Sequence, residues 1–193
     1  STRVPGATDT VIFSATNAPF TSTTQITTTL DGSYTIDGLQ FIAAPTPVSA
    51  VTLSQGTGGT LTGAGEMIRK ARPEVRIIAA EPEGASLLAG KPFAPHKIQG
   101  WTPDFIPGVL NRDVADSIVT VTDAEAIETA RSLARKEGIF CGISCGATFA
   151  AALKVAREAE RGSVILAMLP DTGERYLSTA LFEGIPDGSD PES

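Results

Sequence analysis

The chain has 193 residues, 41% of them hydrophobic and 19% charged, which is enough to bury a core and to form one domain with an appendage. Its net charge of −7 and pI near 4.7 argue against nucleic acid or an anionic membrane surface as a partner, since either needs clustered basic residues. No apolar run reaches the length of a membrane span, which leaves a small-molecule ligand as the partner these numbers favour.

At the start of the chain, no basic stretch followed by an apolar core comes after Ser1, so no secretory signal is read and the chain is taken as a fragment. Residues 1–55 contain no lysine, one arginine (Arg3) and three acids (Asp9, Asp31 and Asp37), with threonine recurring throughout. This composition suits strands and turns. Alternating stretches at Thr10–Ser14, Tyr34–Ile36 and Leu39–Ile42 predict short strands, and Asp31-Gly32 and Asp37-Gly38 predict the tight turns between them. With no histidine, lysine or carboxylate pair, the segment reads as structural. Pro5–Phe13 and Ser33–Phe41 resemble units of the autotransporter-associated β-strand repeat; such units need stacked neighbours to bury their faces.

Residues Val48 to Leu53 can form a strand leading into the run Gly56-Thr57-Gly58-Gly59-Thr60-Leu61-Thr62-Gly63. Glycines and threonines ahead of a helix offer backbone N–H groups and the positive end of a helix dipole to an anion, and the Thr57 and Thr60 hydroxyls add donors. The run predicts a phosphate cradle; a chain that bends, or passes close to a neighbour, needs the same residues. A helix is expected over Thr62–Ala71, then a buried strand over Val75–Ala80. Residues 82–116, rich in Pro and Gly with Trp101 and Phe105, read as a lid or binding segment. Ser117–Val121 predicts a strand and Thr122 a helix cap with Glu125 as its capping-box partner. Ala126, Ile127, Ala130, Leu133 and Ala134 form that helix's apolar stripe, and its end is expected near Gly138. A third cycle places a helix over Ala147–Glu160, entered through Gly142–Gly146, and a strand over Val164–Leu169 stopped by Pro170. Strands alternating with helices predict a parallel sheet covered on both faces, hence an α/β fold over residues 56–193 behind a β-rich segment 1–55. Cys141 and Cys145 are too few for a disulfide framework and wrongly spaced for zinc, and His96 is the only histidine, so no metal site is expected.

The Gly56–Gly63 run, Glu81-Pro82-Glu83, Pro95–Gly100, Phe105-Ile106-Pro107, Glu125-Ala126-Ile127, Gly142–Ala147 and Gly173–Thr179 stand in an order and at spacings that resemble cysteine synthase. That family is the O-acetylserine sulfhydrylase of the fold-type II pyridoxal phosphate (PLP) enzymes. The resemblance runs from about Gly56 to Phe182 and corresponds to the C-terminal part of the family. It implies that Gly56, Thr57, Gly58, Gly59 and Thr60 hold the cofactor phosphate, that Ser144 hydrogen-bonds the pyridine nitrogen, and that Pro170 abuts the ring. Gln99 and Gly100 would lie near the substrate entrance, where a surface turn is the alternative; for Ser144 the alternative is a plain helix cap. Gly173–Tyr176 reads as structural.

Two family segments have no counterpart here: the Pro-x-Ser-Ser-x-Lys-x-Arg stretch whose lysine holds the cofactor as a Schiff base, and the Thr-Ser-Gly-Asn-Thr-type loop that binds the substrate carboxylate. Leu53-Ser54-Gln55 replaces the family's glycine-containing approach, and Cys145 stands where a second serine is common. The resemblance implies a PLP-dependent β-replacement that exchanges the acetoxy group of O-acetylserine for sulfide, in a cytoplasmic homodimer. The missing lysine implies that this chain alone is inactive, so no catalytic residue is assigned. The other readings are a non-catalytic β-repeat surface or adhesion segment fused to an enzyme remnant, which would be secreted, and a chimeric or truncated reading frame.

Overall fold

The computed structural model describes residues 11–14, 48–54, 56 and 58–185. The strands and turns expected at Asp31-Gly32, Tyr34–Ile36, Asp37-Gly38 and Leu39–Ile42 lie outside them, as do Gln55 and Thr57. Five strands, β1 (Val11–Ser14), β2 (Val48–Ser54), β3 (Arg76–Pro82), β4 (Ser117–Val121) and β5 (Val164–Met168), form one sheet in the order β1-β5-β2-β3-β4. Every pairing is parallel. Val51 sits between Ile77 of β3 and Leu166 of β5, so β2 lies in the same sheet as the strands that follow residue 55. The α/β class is as expected.

The two faces follow the period-2 rule of a strand. Val51, Leu53, Ile77, Ala79, Leu166 and Met168 pack with Leu61 and Ile68 of helix α1 (Gly59–Ala71) and with Leu110 and Val114 of the long connection. Their alternates Ala50 and Ile78 pack with Val155 of helix α3 (Ile143–Glu158). Ala80 and Val121 join the larger cluster between α3 and helix α2 (Asp123–Glu137). Sandwiched between helices, β3 carries no polar alternation: six consecutive residues from Ile77 to Pro82 are buried. Thr52, also buried, donates its hydroxyl to the Leu166 carbonyl at 3.3 Å.

The capping box of α2 forms as its sequence predicts. The Glu125 N–H donates to Thr122 Oγ1 at 3.1 Å, and the Thr122 N–H donates to Glu125 Oε2 at 2.8 Å. Gly138, at φ +69°, ends the helix in the left-handed region, with the Ile139 N–H on the Leu133 carbonyl at 3.1 Å. The helix expected from Thr62 begins at Gly59 instead, because the Thr62 N–H closes the first turn on the Gly58 carbonyl at 2.9 Å. Likewise α3 begins at Ile143, earlier than the expected Ala147. Gly146 is therefore inside the helix, where a Cβ would overlap the Ala126 carbonyl and the Ala130 N–H, so glycine here permits close packing of α3 on α2. The 82–116 connection is packed down at Ile98, Trp101, Leu110 and Val114 and exposes Phe105, Ile106 and Val109.

Candidate functional site

Since all strands are parallel, their carboxyl ends share one edge of the sheet, and in open α/β sheets ligands bind at that edge. β2 and β5 are neighbours, and a glycine-led helix start stands at the carboxyl end of each. After β2 comes the glycine loop. Gly56 has φ +50° and Gly58 φ +89°, both in the region that favours glycine. A Cβ on Gly58 would come within 2.7 Å of Leu110 Cβ, so the loop passes too close to the connection for any side chain. A Cβ on Gly59 would meet nothing within 4 Å, which leaves the start of α1 open on that side.

No side chain caps α1 and its first turn carries no acid, so its leading N–H groups remain available to an anion. Thr60 is exposed at the second helical position. Thr62, in contrast, is structural: its hydroxyl donates to the Val109 carbonyl at 3.1 Å and accepts the Asn111 N–H at 2.9 Å, which holds the connection against α1. The Gln99–Gly100 turn also reaches this loop, since the Gly100 carbonyl oxygen lies 3.7 Å from where a Gly56 Cβ would stand.

At the end of β5, Pro170 is half-buried and Asp171 clasps the start of α3. The Asp171 carbonyl accepts the Gly142 N–H at 3.2 Å and the Cys145 thiol at 3.0 Å, while its own N–H donates to Cys145 Sγ at 3.3 Å. Cys141 and Thr172 form an antiparallel bridge beside it. Ser144, 5% exposed, is thereby fixed in the first turn of α3 over the β5 terminus. Gly142 caps α3 without a side chain, so this helix too presents uncapped N–H groups. The hydrogen bond that the Cys141 thiol donates to Cys145, together with burial, pushes the Cys141 thiol up. The Cys141 contact and the Asp171 and Gly142 backbone hold Cys145 below its ordinary value.

The structure thus brings Gly56, Gly58, Gly59, Thr60 and Gly100 to one strand end, and Ser144 and Pro170 to the next. Asp171 and the clasp role of Cys145 were not assigned from sequence. The signal was present in Pro170-Asp171 directly after a buried strand, but a side chain that acts through backbone partners leaves no spacing pattern. Among the described residues, no group of three or more His, Cys, Asp or Glu side chains could hold a metal ion, and no helix is long and apolar enough to cross a membrane.

An open parallel sheet with two uncapped helix starts at adjacent carboxyl ends defines an α/β protein that presents unpaired N–H donors along that edge, a feature suited to an anion. A sequence profile described as "Pyridoxal-phosphate dependent enzyme" matches residues 19–171, and the chain belongs to that family. Its members depend on pyridoxal phosphate, and the uncapped start of α1 fits that cofactor's phosphate. The chain is 59% identical over 135 residues to O-ureido-L-serine synthase from Streptomyces lavendulae, covering 70% of this chain and 42% of that protein. It is 44% identical over 135 residues to cysteine synthase from Staphylococcus aureus (strain Mu50 / ATCC 700699), covering 70% and 44%. The crystal structure of O-ureido-L-serine synthase superimposes with a TM-score of 0.72 at 55% identity, covering 76% of this chain and 46% of that one. The chain therefore spans less than half the length of these relatives. The profile match reaches back to residue 19, and the likeness of residues 1–55 to an autotransporter repeat finds no support in these comparisons.

Proposed function

We propose that this chain forms the phosphate- and ring-nitrogen-binding part of a PLP enzyme that replaces the β-substituent of an activated serine. The observation that carries this reading is the pair of uncapped, glycine-led helix starts at neighbouring strand ends. When bound, the cofactor supplies an electron sink for bonds broken at the substrate Cα. Gly56, Thr57, Gly58, Gly59 and Thr60 hold its phosphate, Pro170 lies against its ring, and Ser144 places a neutral hydroxyl at the ring nitrogen. A hydroxyl there leaves that nitrogen largely unprotonated and moderates the sink, which suits β-substitution. Gln99 and Gly100 stand beside the glycine loop at the substrate entrance.

Cysteine and O-ureido-L-serine, the products in the relatives' names, are both L-serine skeletons with a heteroatom on Cβ. The shared chemistry is therefore β-replacement, with O-acetylserine and sulfide as the pair that the cysteine-synthase likeness favours. In the complete enzyme we place this on a homodimer in the cytoplasm.

The chain alone binds the cofactor without turning it over. Its lysines are Lys70, Lys91, Lys97, Lys136 and Lys154. Lys70 and Lys136 lie in the last turns of α1 and α2, Lys91 and Lys97 are exposed, and Lys154 is held by the Thr120 carbonyl and by Glu125, each at 2.9 Å. PLP titration of the purified chain, followed by quenching of its single tryptophan, Trp101, should give a saturable curve. Borohydride treatment and peptide mass mapping should find no single modified lysine. Absence of saturation would overturn the cofactor reading, and one stoichiometrically trapped lysine would overturn the expected inactivity.

A further inference from the structure

The Gln99–Gly100 turn, whose Gly100 carbonyl stands beside Gly56, is closed at its base. The Trp101 N–H donates to the Ile98 carbonyl at 3.3 Å, and the Lys97 N–H donates to Asp123 Oδ2 at 2.9 Å, which ties the incoming side to the first residue of α2. Ile98 and Trp101 are buried in the core beneath the turn. The outgoing side passes through Thr102, buried and at φ +30°, a conformation that a β-branched residue rarely adopts. Such a backbone persists only where its surroundings hold it. The half-buried imidazole of His96 is placed to do so: its Nε2 lies 3.4 Å from the Thr102 carbonyl oxygen, across the neck of the loop 96–102. Phe93 stands against the same ring, with centroids 6.2 Å apart and planes at 68°. A carbonyl oxygen only accepts, so the contact is a hydrogen bond when Nε2 carries the proton. Nδ1 is buried and has no partner among the described residues. A proton on Nδ1 would leave a buried N–H unpaired and set the Nε2 lone pair against those of Thr102; the Nε2–H tautomer avoids both costs.

We propose that His96 is a positioning residue for the Gln99–Gly100 turn: as the Nε2–H tautomer it holds the Thr102 carbonyl, and with it the strained outgoing side of the loop that sets Gly100 beside the glycine loop. The consequence for the cofactor rests on the reading above. With the neck released, the Gly100 carbonyl is free to turn toward the N–H donors of the Gly56–Gly59 loop and to compete with an anion for them.

The bond is tested first without cofactor. His96 is the single histidine, so a long-range 1H–15N correlation of the full chain in mildly alkaline buffer reads one imidazole. The Nε2–H tautomer is expected; an Nδ1–H tautomer, or the averaged signal of a free ring, would overturn the proposal. Amide hydrogen exchange then reads the turn. His96→Gln can place an amide donor where Nε2 stood, whereas the shorter side chain of His96→Asn cannot. In His96→Asn the Trp101 backbone amide should exchange about three- to tenfold faster, as for one lost hydrogen bond. In His96→Gln it should keep its protection, and Ala130 and Leu133 of α2 should keep theirs in both variants. Unchanged Trp101 protection in His96→Asn, or a loss shared equally by α2, would overturn the proposal. The second arm measures PLP affinity by Trp101 quenching: His96→Asn should weaken binding about three- to tenfold and His96→Gln should restore it. Equal affinity in all three proteins would overturn the consequence for the cofactor. If the unsubstituted chain shows no saturable binding, the cofactor reading falls, while the tautomer and the exchange rates still decide whether His96 holds the turn.

Discussion

Two adjacent glycines in the loop after β2 have different work. Gly58 combines a left-handed φ of +89° with a packing limit, since Leu110 occupies the place of any Cβ. Gly59 has neither constraint: its φ is not in the left-handed region, and the space beside it is open. Gly58→Ala should therefore cost about 2–4 kcal/mol, from the left-handed backbone and the overlap together, and lower the urea midpoint without changing the slope. Gly59→Ala should leave the urea midpoint within about 0.5 kcal/mol of the unsubstituted chain. It would reduce PLP affinity by placing a methyl group beside the N–H donors. The reverse ranking of the two variants in urea would show that the loop does not pass under Leu110 as described.

The elements divide into those whose signals are local and those whose boundaries depend on distant packing. α2 belongs to the first group. Its cap, its capping-box partner, its stripe of Ala126, Ala130 and Leu133 and its terminating Gly138 all lie within one short stretch, so sequence placed both its ends. Thr122→Ala should cost about 1 kcal/mol by thermal or urea unfolding, because it removes the acceptor of the Glu125 N–H. Glu125 also carries a pH dependence. Burial would raise its pKa, but the Lys154 ion pair at 2.8 Å and the Thr122 N–H hold it below its ordinary 4.5. A carboxyl lowered in the folded state contributes stability that is complete above the unfolded value and is lost as pH falls through the folded one. Stability should therefore decline below pH 4.5 more steeply in the unsubstituted chain than in Glu125→Gln, which keeps a capping side chain. With 40% of the side chain exposed, solvent screening keeps the difference small. A parallel acid profile in the two proteins would remove Glu125 from the account.

α1 and α3 belong to the second group. Their glycine-rich starts read as loops because glycine is a poor helix former, and only tertiary partners reveal that the helices begin at Gly59 and Ile143. Those partners are Thr62 against residues 109–111 for α1, and Asp171 against Gly142 and Cys145 for α3. The run at Gly56–Thr60 could be read as a phosphate cradle because the donors of that reading are consecutive backbone groups. The Asp171 clasp on Gly142 and Cys145 could not, because it is made by a residue that lies beyond the following strand.

At the scale of the whole molecule, the buried clusters of the two faces account for a folded α/β unit, yet Phe105, Ile106 and Val109 stand exposed in one stretch of the connection. A contiguous apolar patch of this kind drives association. The chain should sediment as a dimer or larger species at micromolar concentration, and Phe105→Ser with Val109→Ser should shift it toward monomer while its circular dichroism is unchanged. A monomer at all concentrations would show that this patch does not bind a second copy. The strand order has a further consequence, for the time course of synthesis. Among the described strands β5 is the last in chain order, yet it lies between β1 and β2 and is the one described strand that pairs with β1. Until Met168 has emerged from the ribosome, β2 lacks its β5 partner and β1 lacks a partner among the described strands, so this part of the sheet cannot be completed from the N-terminal side. It must wait as an unfinished surface in which the carboxyl edge, and with it the place for Ser144 beside the glycine loop, does not yet exist.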